Sequence, residues 1–171
     1  MVDLMQIVSV IVNVYISFTE KKKRIYVATF LLNVAQLMMY FYNNDITTTL
    51  IYIVIVVRSL VYIYKDNIKN DLLPYLFIMI QIAIGFGTIE NSLQILSILI
   101  PCYACYYLWF SENTQKLRVG NLIANVLWAI YNIYTGLYIV LITRFITIAS
   151  NGIALIKYEL ENKNKNKRVI A

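Results

Sequence analysis

The side chains best suited to chemistry in this sequence lie on two helical stripes in its second half. Asn121, Asn125, Trp128 and Asn132 are spaced four, three and four residues apart, so they share one face of a helix. Arg144, Thr147 and Asn151 do the same on the following run. A guanidinium beside carboxamides and an indole is binding chemistry, because its planar fork holds a carboxylate or phosphate by paired hydrogen bonds. Catalysis would need other groups. The chain has no histidine, no Asp or Glu inside an apolar run, and no serine with a partner to activate it, so it is not read as an enzyme. Cys102 and Cys105 form a CxxC. No histidine or embedded carboxylate completes a metal site around them, and the βαβ setting of a redox CxxC is missing. They read as small thiols beside Pro101, and no metal or cofactor is expected.

Both stripes belong to the stretch from Asn121 to Lys157, two apolar runs hinged at Thr135-Gly136. Each run approaches the about 20 apolar residues that cross a bilayer. A polar stripe at that depth must face protein or a water-filled cavity. Composition agrees: the 171 residues are 60% hydrophobic and only 14% charged, with a mean hydropathy of +0.66. A soluble chain would be about half apolar and a quarter charged. An all-α integral membrane protein follows, as a single transmembrane domain with lipid as its surroundings. The start MVDLMQ has no basic n-region and no small-residue cleavage site, so a cleavable signal is not expected.

Seven apolar runs can be read: Leu4 to Phe18, Ile25 to Asn43, Ile46 to Tyr64, Leu72 to Ile89, Ser92 to Phe110, Val119 to Tyr134 and Leu137 to Lys157. The domain covers 1–158, and the basic tail 159–171 is expected to be cytoplasmic and disordered. With seven crossings, Lys21, Lys22, Lys23, Arg24, Lys65, Lys69, Lys116, Arg118 and the tail's Lys163, Lys165, Lys167 and Arg168 fall on one side. The opposite loops carry only Asp3, Asp45 and Glu90. This is a positive-inside pattern with the N-terminus outside and the C-terminus in the cytoplasm. The net charge of +6 is a topology signal of this kind, and no nucleic-acid partner is implied.

The chain also repeats itself. Gln6, Ser9, Asn13 and Ser17 align with Gln94, Ser97, Pro101 and Cys105 at one constant offset. At a slightly larger one, Thr29, Asn33, Gln36 and Tyr40 align with Asn121, Asn125, Trp128 and Asn132, and Tyr52, Ile55 and Ser59 with Arg144, Thr147 and Asn151. Two apolar helices match in hydrophobicity by chance, but seldom in their polar stripes. The reading is a parallel repeat about the membrane normal, about 1–65 and about 92–158, joined by a linker helix about 72–89 with Pro74 in its first turn.

This three-one-three plan resembles the SWEET and PQ-loop transporter superfamily, and most closely the YgjV-type bacterial inner-membrane proteins. The residues carrying the likeness are WAIYNIYTG from Trp128 to Gly136, SNGIALIKY from Ser150 to Tyr158, Ala35-Gln36, Gln6 and Arg58. It implies a seven-helix inner-membrane protein with a cavity between the triplets. The Pro-Gln of the PQ-loop proteins is not reproduced: Pro101 is followed by Cys102, and Asn13 stands at the matching place. The binding Asn of the sugar carriers falls on Arg144 in one half and on Ile55 or Tyr52 in the other.

The expected substrate-binding residues are Trp128, Asn125, Arg144 and Asn151 from the second half and Asn33, Gln36 and Ser59 from the first, with Pro101 as a kink or hinge. Arg58 either snorkels to the interface or, as the likeness implies, has a structural or gating role. Arg144 lies roughly 10 Å inside its helix at 1.5 Å per residue. It either snorkels outward to Asp45 or Glu90 or faces the cavity with Trp128 and Asn151. Tyr103, Tyr106 and Tyr107 near Trp109 read as an interfacial belt. The function expected is a small-molecule transporter or facilitator for a polar or anionic solute. The alternative is a non-transporting receptor or assembly protein on the same scaffold. Homo-oligomerisation is left open. The topology is directly testable: cysteine placed at Asn44 or Asn91 should be labelled from outside, and at Asn67 or Asn113 only from inside. The reverse pattern refutes the scheme.

Overall fold

In the computed structural model, the backbone is described at 2–68, 70–89 and 92–170, with side chains except at 2–4, 93, 139, 159 and 161–170. The expectations resting on Asp3, Lys69, Glu90, Asn91 and the tail's basic side chains lie outside the described residues. Seven α-helices account for most of the described chain: α1 (Val2–Phe18), α2 (Lys22–Tyr42), α3 (Ile46–Ile63), α4 (Leu73–Thr88), α5 (Ile95–Phe110), α6 (Thr114–Tyr134) and α7 (Tyr138–Ile170). Two short 3-10 turns, Lys65–Asn67 and Ser92–Gln94, precede α4 and α5.

Local chemistry sets the helix ends. Asp45 Oδ1 accepts the Thr48 N–H at 3.0 Å and caps α3, and Asn113 Oδ1 accepts the Lys116 N–H at 2.8 Å and caps α6. Pro74 sits in the first turn of α4, where its missing N–H is harmless. α2 and α6 end in one and the same way. Asn44 (φ 55°) and Gly136 (φ 71°) take the left-handed conformation. The next residue's N–H then reaches back to a carbonyl of the last helical turn, Asp45 to Tyr40 at 3.2 Å and Leu137 to Asn132 at 3.0 Å. Each break turns the chain directly into the antiparallel partner helix.

Two boundaries and the span lengths differ from the expected runs. α6 begins at Thr114, a turn earlier, because the Asn113 cap draws Lys116 and Arg118 into the helix. α7 continues through Ile170, over the polar tail whose composition suggested disorder. Among the described residues, Lys22–Tyr42, Ile46–Ile63 and Val140–Tyr158 are the three segments long and apolar enough to cross a membrane by length and composition, where seven runs were expected. The described α4 and α5, 16 residues each, reach about 24 Å at 1.5 Å per residue, short of the ~30 Å hydrocarbon core. In α6 the polar stripe itself lowers the hydropathy.

The helices close a ring in which each neighbour in sequence packs on the next, α1 packs on α7, and α3 on α5, with α4 against both α3 and α5. Polarity is inverted relative to a soluble bundle. Ser9, Asn13, Asn33, Gln36, Asn125, Asn132 and Thr147 are buried, while Ile11, Leu31, Ile53, Met79, Leu99, Ile142 and Ile153 face outward. The apolar residues that are buried pack in two clusters, one around Tyr62, Cys105 and Trp109, the other around Tyr40, Tyr52, Trp128 and Tyr131.

Gly120 on α6 lies against the Tyr107 ring of α5 so closely that a β-carbon would overlap it. Small residues let transmembrane helices approach in this way. Gly120→Val should therefore destabilise the α5–α6 contact by about 1–3 kcal/mol, measured as a lower unfolding temperature of the purified protein in detergent.

Candidate functional site

The polar stripes meet in a cavity of about 70 Å³. One water needs roughly 10–15 Å³ by this kind of measure, so the space suits a few waters or part of a small solute. Of the expected site residues, Asn33, Gln36, Asn125, Trp128, Arg144 and Asn151 line it, as does Pro101. Ser59 does not; it stands behind the wall, accepting a hydrogen bond from Asn33 Nδ2 at 2.7 Å and donating to the Ile55 carbonyl. Both halves of the chain thus contribute to one space.

Arg144 organises the deep end. Its Nη1 donates to Asn125 Oδ1 at 3.2 Å, and its Nη2 to Gln36 Oε1 at 2.9 Å and to the Tyr52 hydroxyl at 3.3 Å. The Tyr52 hydroxyl donates in turn to Gln36 Oε1 at 2.6 Å. The guanidinium carbon lies 5.4 Å from the Trp128 ring centre, a cation–π distance. Of the two alternatives for this residue, the outward one through Asp45 is excluded: Asp45 instead accepts from Thr48 N and from the Tyr131 hydroxyl at 3.0 Å. Asn151 shares the cavity with Arg144 and donates to the Thr147 carbonyl at 2.9 Å.

Beyond Arg144, toward the Asp45 end, the space is closed. Tyr40, Tyr52 and Trp128 pack with ring centres 5.0–6.0 Å apart, and Tyr131 packs edge-on against Trp128. The layer is pinned by the Tyr40 hydroxyl donating to Asn132 Oδ1 at 3.3 Å and by the Thr48–Tyr131–Asp45 chain. Because Tyr131 gives its proton to the carboxylate, Thr48 donates to Tyr131.

Toward the other end the lining reaches Asn121 and Arg118. Arg118 is a residue that the charge pattern assigned only to topology. It is 2% exposed, donates through Nε to Ser17 O at 2.9 Å and through Nη2 to Thr19 O at 3.0 Å, and stacks 4.0 Å from the Tyr158 ring centre. It thereby closes the C-terminal end of α1. The missed signal was its spacing: Arg118 lies three residues before Asn121 and so extends the same stripe.

The snorkelling alternative for Arg58 is also excluded. This side chain is 2% exposed, lines the cavity, and donates through Nη1 to Pro101 O at 3.0 Å and to Cys105 Sγ at 3.1 Å. A small sulfur and a carbonyl beside the proline accept the guanidinium, so it has no need to reach the interface. Cys102 and Cys105 are free thiols, both within reach of Gln81 Oε1. Trp109 does not join a lipid-facing belt: it is buried, donates to Asp71 Oδ1 at 3.1 Å, and its carbonyl accepts from Lys65. Burial there, with Lys22 nearby, lowers the Lys65 pKa below the ordinary lysine value. Tyr106 is exposed, as a belt requires.

Residues 1–162 match the model of the Imp-YgjV family, described as a bacterial inner membrane protein. The chain belongs to this family. No curated protein and no solved structure matches it. The Imp-YgjV assignment places the inverted bundle in the bacterial inner membrane.

The deep network makes its own test. Gln36→Leu in this Imp-YgjV chain removes an acceptor from a buried cation and should cost about 1–3 kcal/mol. Tyr52→Phe, which leaves Gln36 in place, should cost nearer ~1 kcal/mol. Thermal unfolding of the two variants in the same detergent measures the difference.

Proposed function

We propose that this protein is a small-molecule transporter or facilitator that moves a polar or anionic solute through the cavity between two three-helix units. The observation that carries the reading is the cavity itself, lined by polar residues of both halves, ending at Arg144 and closed beyond it by the aromatic layer. A polar space between two helix triplets, sealed toward one face by packed rings, suits one state of an alternating-access carrier.

Internal pairings support two parallel repeats of the SWEET and PQ-loop kind. Aligned residues stand in matching roles. Asn44 and Gly136 make the same helix break. Tyr26 donates to Leu108 O near the end of α5, and its counterpart Arg118 donates to Ser17 O near the end of α1. Arg58 donates to Cys105 Sγ, and their counterparts Ser150 and Ser17 share a hydrogen bond at 2.9 Å. Tyr40 and Asn132, aligned with each other, are themselves bonded, as two residues beside a pseudo-twofold axis would be. α4 lies against α3 and α5 as a linker would. With the basic loops in the cytoplasm, the Arg118 end of the cavity faces inward and the aromatic layer is the outer gate. Pro101, without an N–H and on the cavity wall, is the hinge candidate of α5. Unpaired carboxylates for a proton relay are not found among the described cavity residues, which favours movement driven by the solute's own gradient.

The test is flux in vesicles containing the full chain. Wild-type protein should release a trapped polar or anionic solute. Arg144→Gln should slow release by about tenfold or more, the loss of roughly 1.4 kcal/mol of binding, and Arg144→Lys by less. A receptor on the same scaffold would bind its ligand, seen as increased thermal stability, while the vesicles released nothing.

A further inference from the structure

Resting on that reading, we infer that the solute is a soluble oxyanion of two or more negative charges, carrying carboxylate or phosphate groups, and that Arg58 and Arg118 bind it together with Arg144. The three guanidiniums line one cavity, although they come from α3, α6 and α7. All are buried, at 2%, 2% and 3% exposure. Among the described residues none has an acid within 4.0 Å, and the one ion pair is the exposed Lys116–Glu112. Their partners are neutral: carbonyls, amides, a hydroxyl and a thiol.

Each guanidinium also keeps a buried nitrogen with no protein partner: Arg58 Nε, Arg118 Nη1 and Arg144 Nε. A buried cation without a counter-charge is strongly disfavoured, and its remaining donors seek acceptors. The C-terminal dipole of α1 offsets part of the charge of Arg118. Ring faces, Tyr62 at 5.7 Å and Trp128 at 5.4 Å, give Arg58 and Arg144 a partial offset without a counter-charge. A monoanion would balance one of three charges, whereas a dianion or trianion balances most of them and offers enough oxygens for every free donor. A neutral sugar would find the same amides but would leave the cations unmatched.

The experiment is thermal stabilisation of the full chain in neutral phosphatidylcholine nanodiscs, titrated with glycerol, acetate, succinate, citrate and inorganic phosphate. A second set contains phosphatidylglycerol. Succinate, citrate or phosphate should bind at least about tenfold more tightly than acetate, and rising salt should weaken them. Arg58→Gln and Arg118→Gln should each remove that margin, and the lysine variants should retain much of it. Asn121→Asp keeps all three arginines and supplies a counter-charge beside Arg118, so it should weaken the dianions even if Arg118→Gln does not fold.

Equal binding of acetate and succinate overturns the inference, as does a loss of stability in the glutamine variants that is the same with and without succinate. So does stabilisation that requires phosphatidylglycerol, since a lipid headgroup would then fill the site. If no anion binds but a neutral polar solute crosses vesicles in an Arg144-dependent way, the charge inference fails and the transport reading stands. If anions bind with the expected preference but nothing crosses, the transport reading fails and the site remains.

Discussion

A guanidinium at the depth of a bilayer has to find its hydrogen bonds in protein or in enclosed water, since hydrocarbon offers none. Arg144 meets that demand with Asn125, Gln36, Tyr52 and the face of Trp128, from α6, α2, α3 and α6. With α7, which bears the arginine, four helices are therefore held in one arrangement by one side chain. Even the lowest scales put the insertion of such a residue at about 2.5–3.5 kcal/mol. Keeping it at the centre of a network that still leaves Nε unbonded suits a site prepared for something else to bind. The same need shapes the outside of the molecule, because the apolar side chains displaced from the interior face lipid.

The seven helices were legible because they rest on the periodicity and punctuation of the apolar runs. The stripes on α2, α6 and α7 were placed on their inner faces by spacing alone, and the Thr135-Gly136 break by its glycine. What could not be read was the depth of individual cations. Arg118 follows Lys116 in a stretch that also marks the end of an apolar run, and charge counting cannot distinguish a loop arginine from one that folds back onto a neighbouring helix end. Its burial is decided by the free carbonyls of Ser17 and Thr19, one hundred residues away in sequence. Arg58 was ambiguous for the converse reason: its distance to the interface permits snorkelling, and only the position of Pro101 and Cys105 on α5 makes an inward route better.

In the proposed repeat, the two halves differ at matched positions. Where the first half has Tyr52, the second has Arg144, and where the first has Arg58, the second has Ser150. Each half therefore contributes one cation to the wall from its third helix, but at different depths. In a strictly symmetric pair, two arginines would face one another across the axis and repel. Here the deep place has one arginine and one tyrosine, and the tyrosine hydroxyl accepts from the arginine.

The proposed gate follows from the same asymmetry. Arg144 donates to the Tyr52 hydroxyl, and Tyr52 packs against Tyr40 and Trp128, so in the proposed carrier the side chain that would meet the solute also touches the layer that would block its exit. An anion competing for the guanidinium would weaken its hold on Gln36 and Tyr52. Tyr52 would then be freer to move, and with it the contact to Tyr40, whose hydroxyl is bonded to Asn132 on the other half. Opening needs a binding preference for the open state and nothing more, since a ligand shifts a conformational equilibrium only by its differential affinity. In the closed arrangement two of the guanidinium nitrogens are already occupied by protein. An arrangement that releases them would bind an oxyanion more tightly, and that difference is the coupling that alternating access requires.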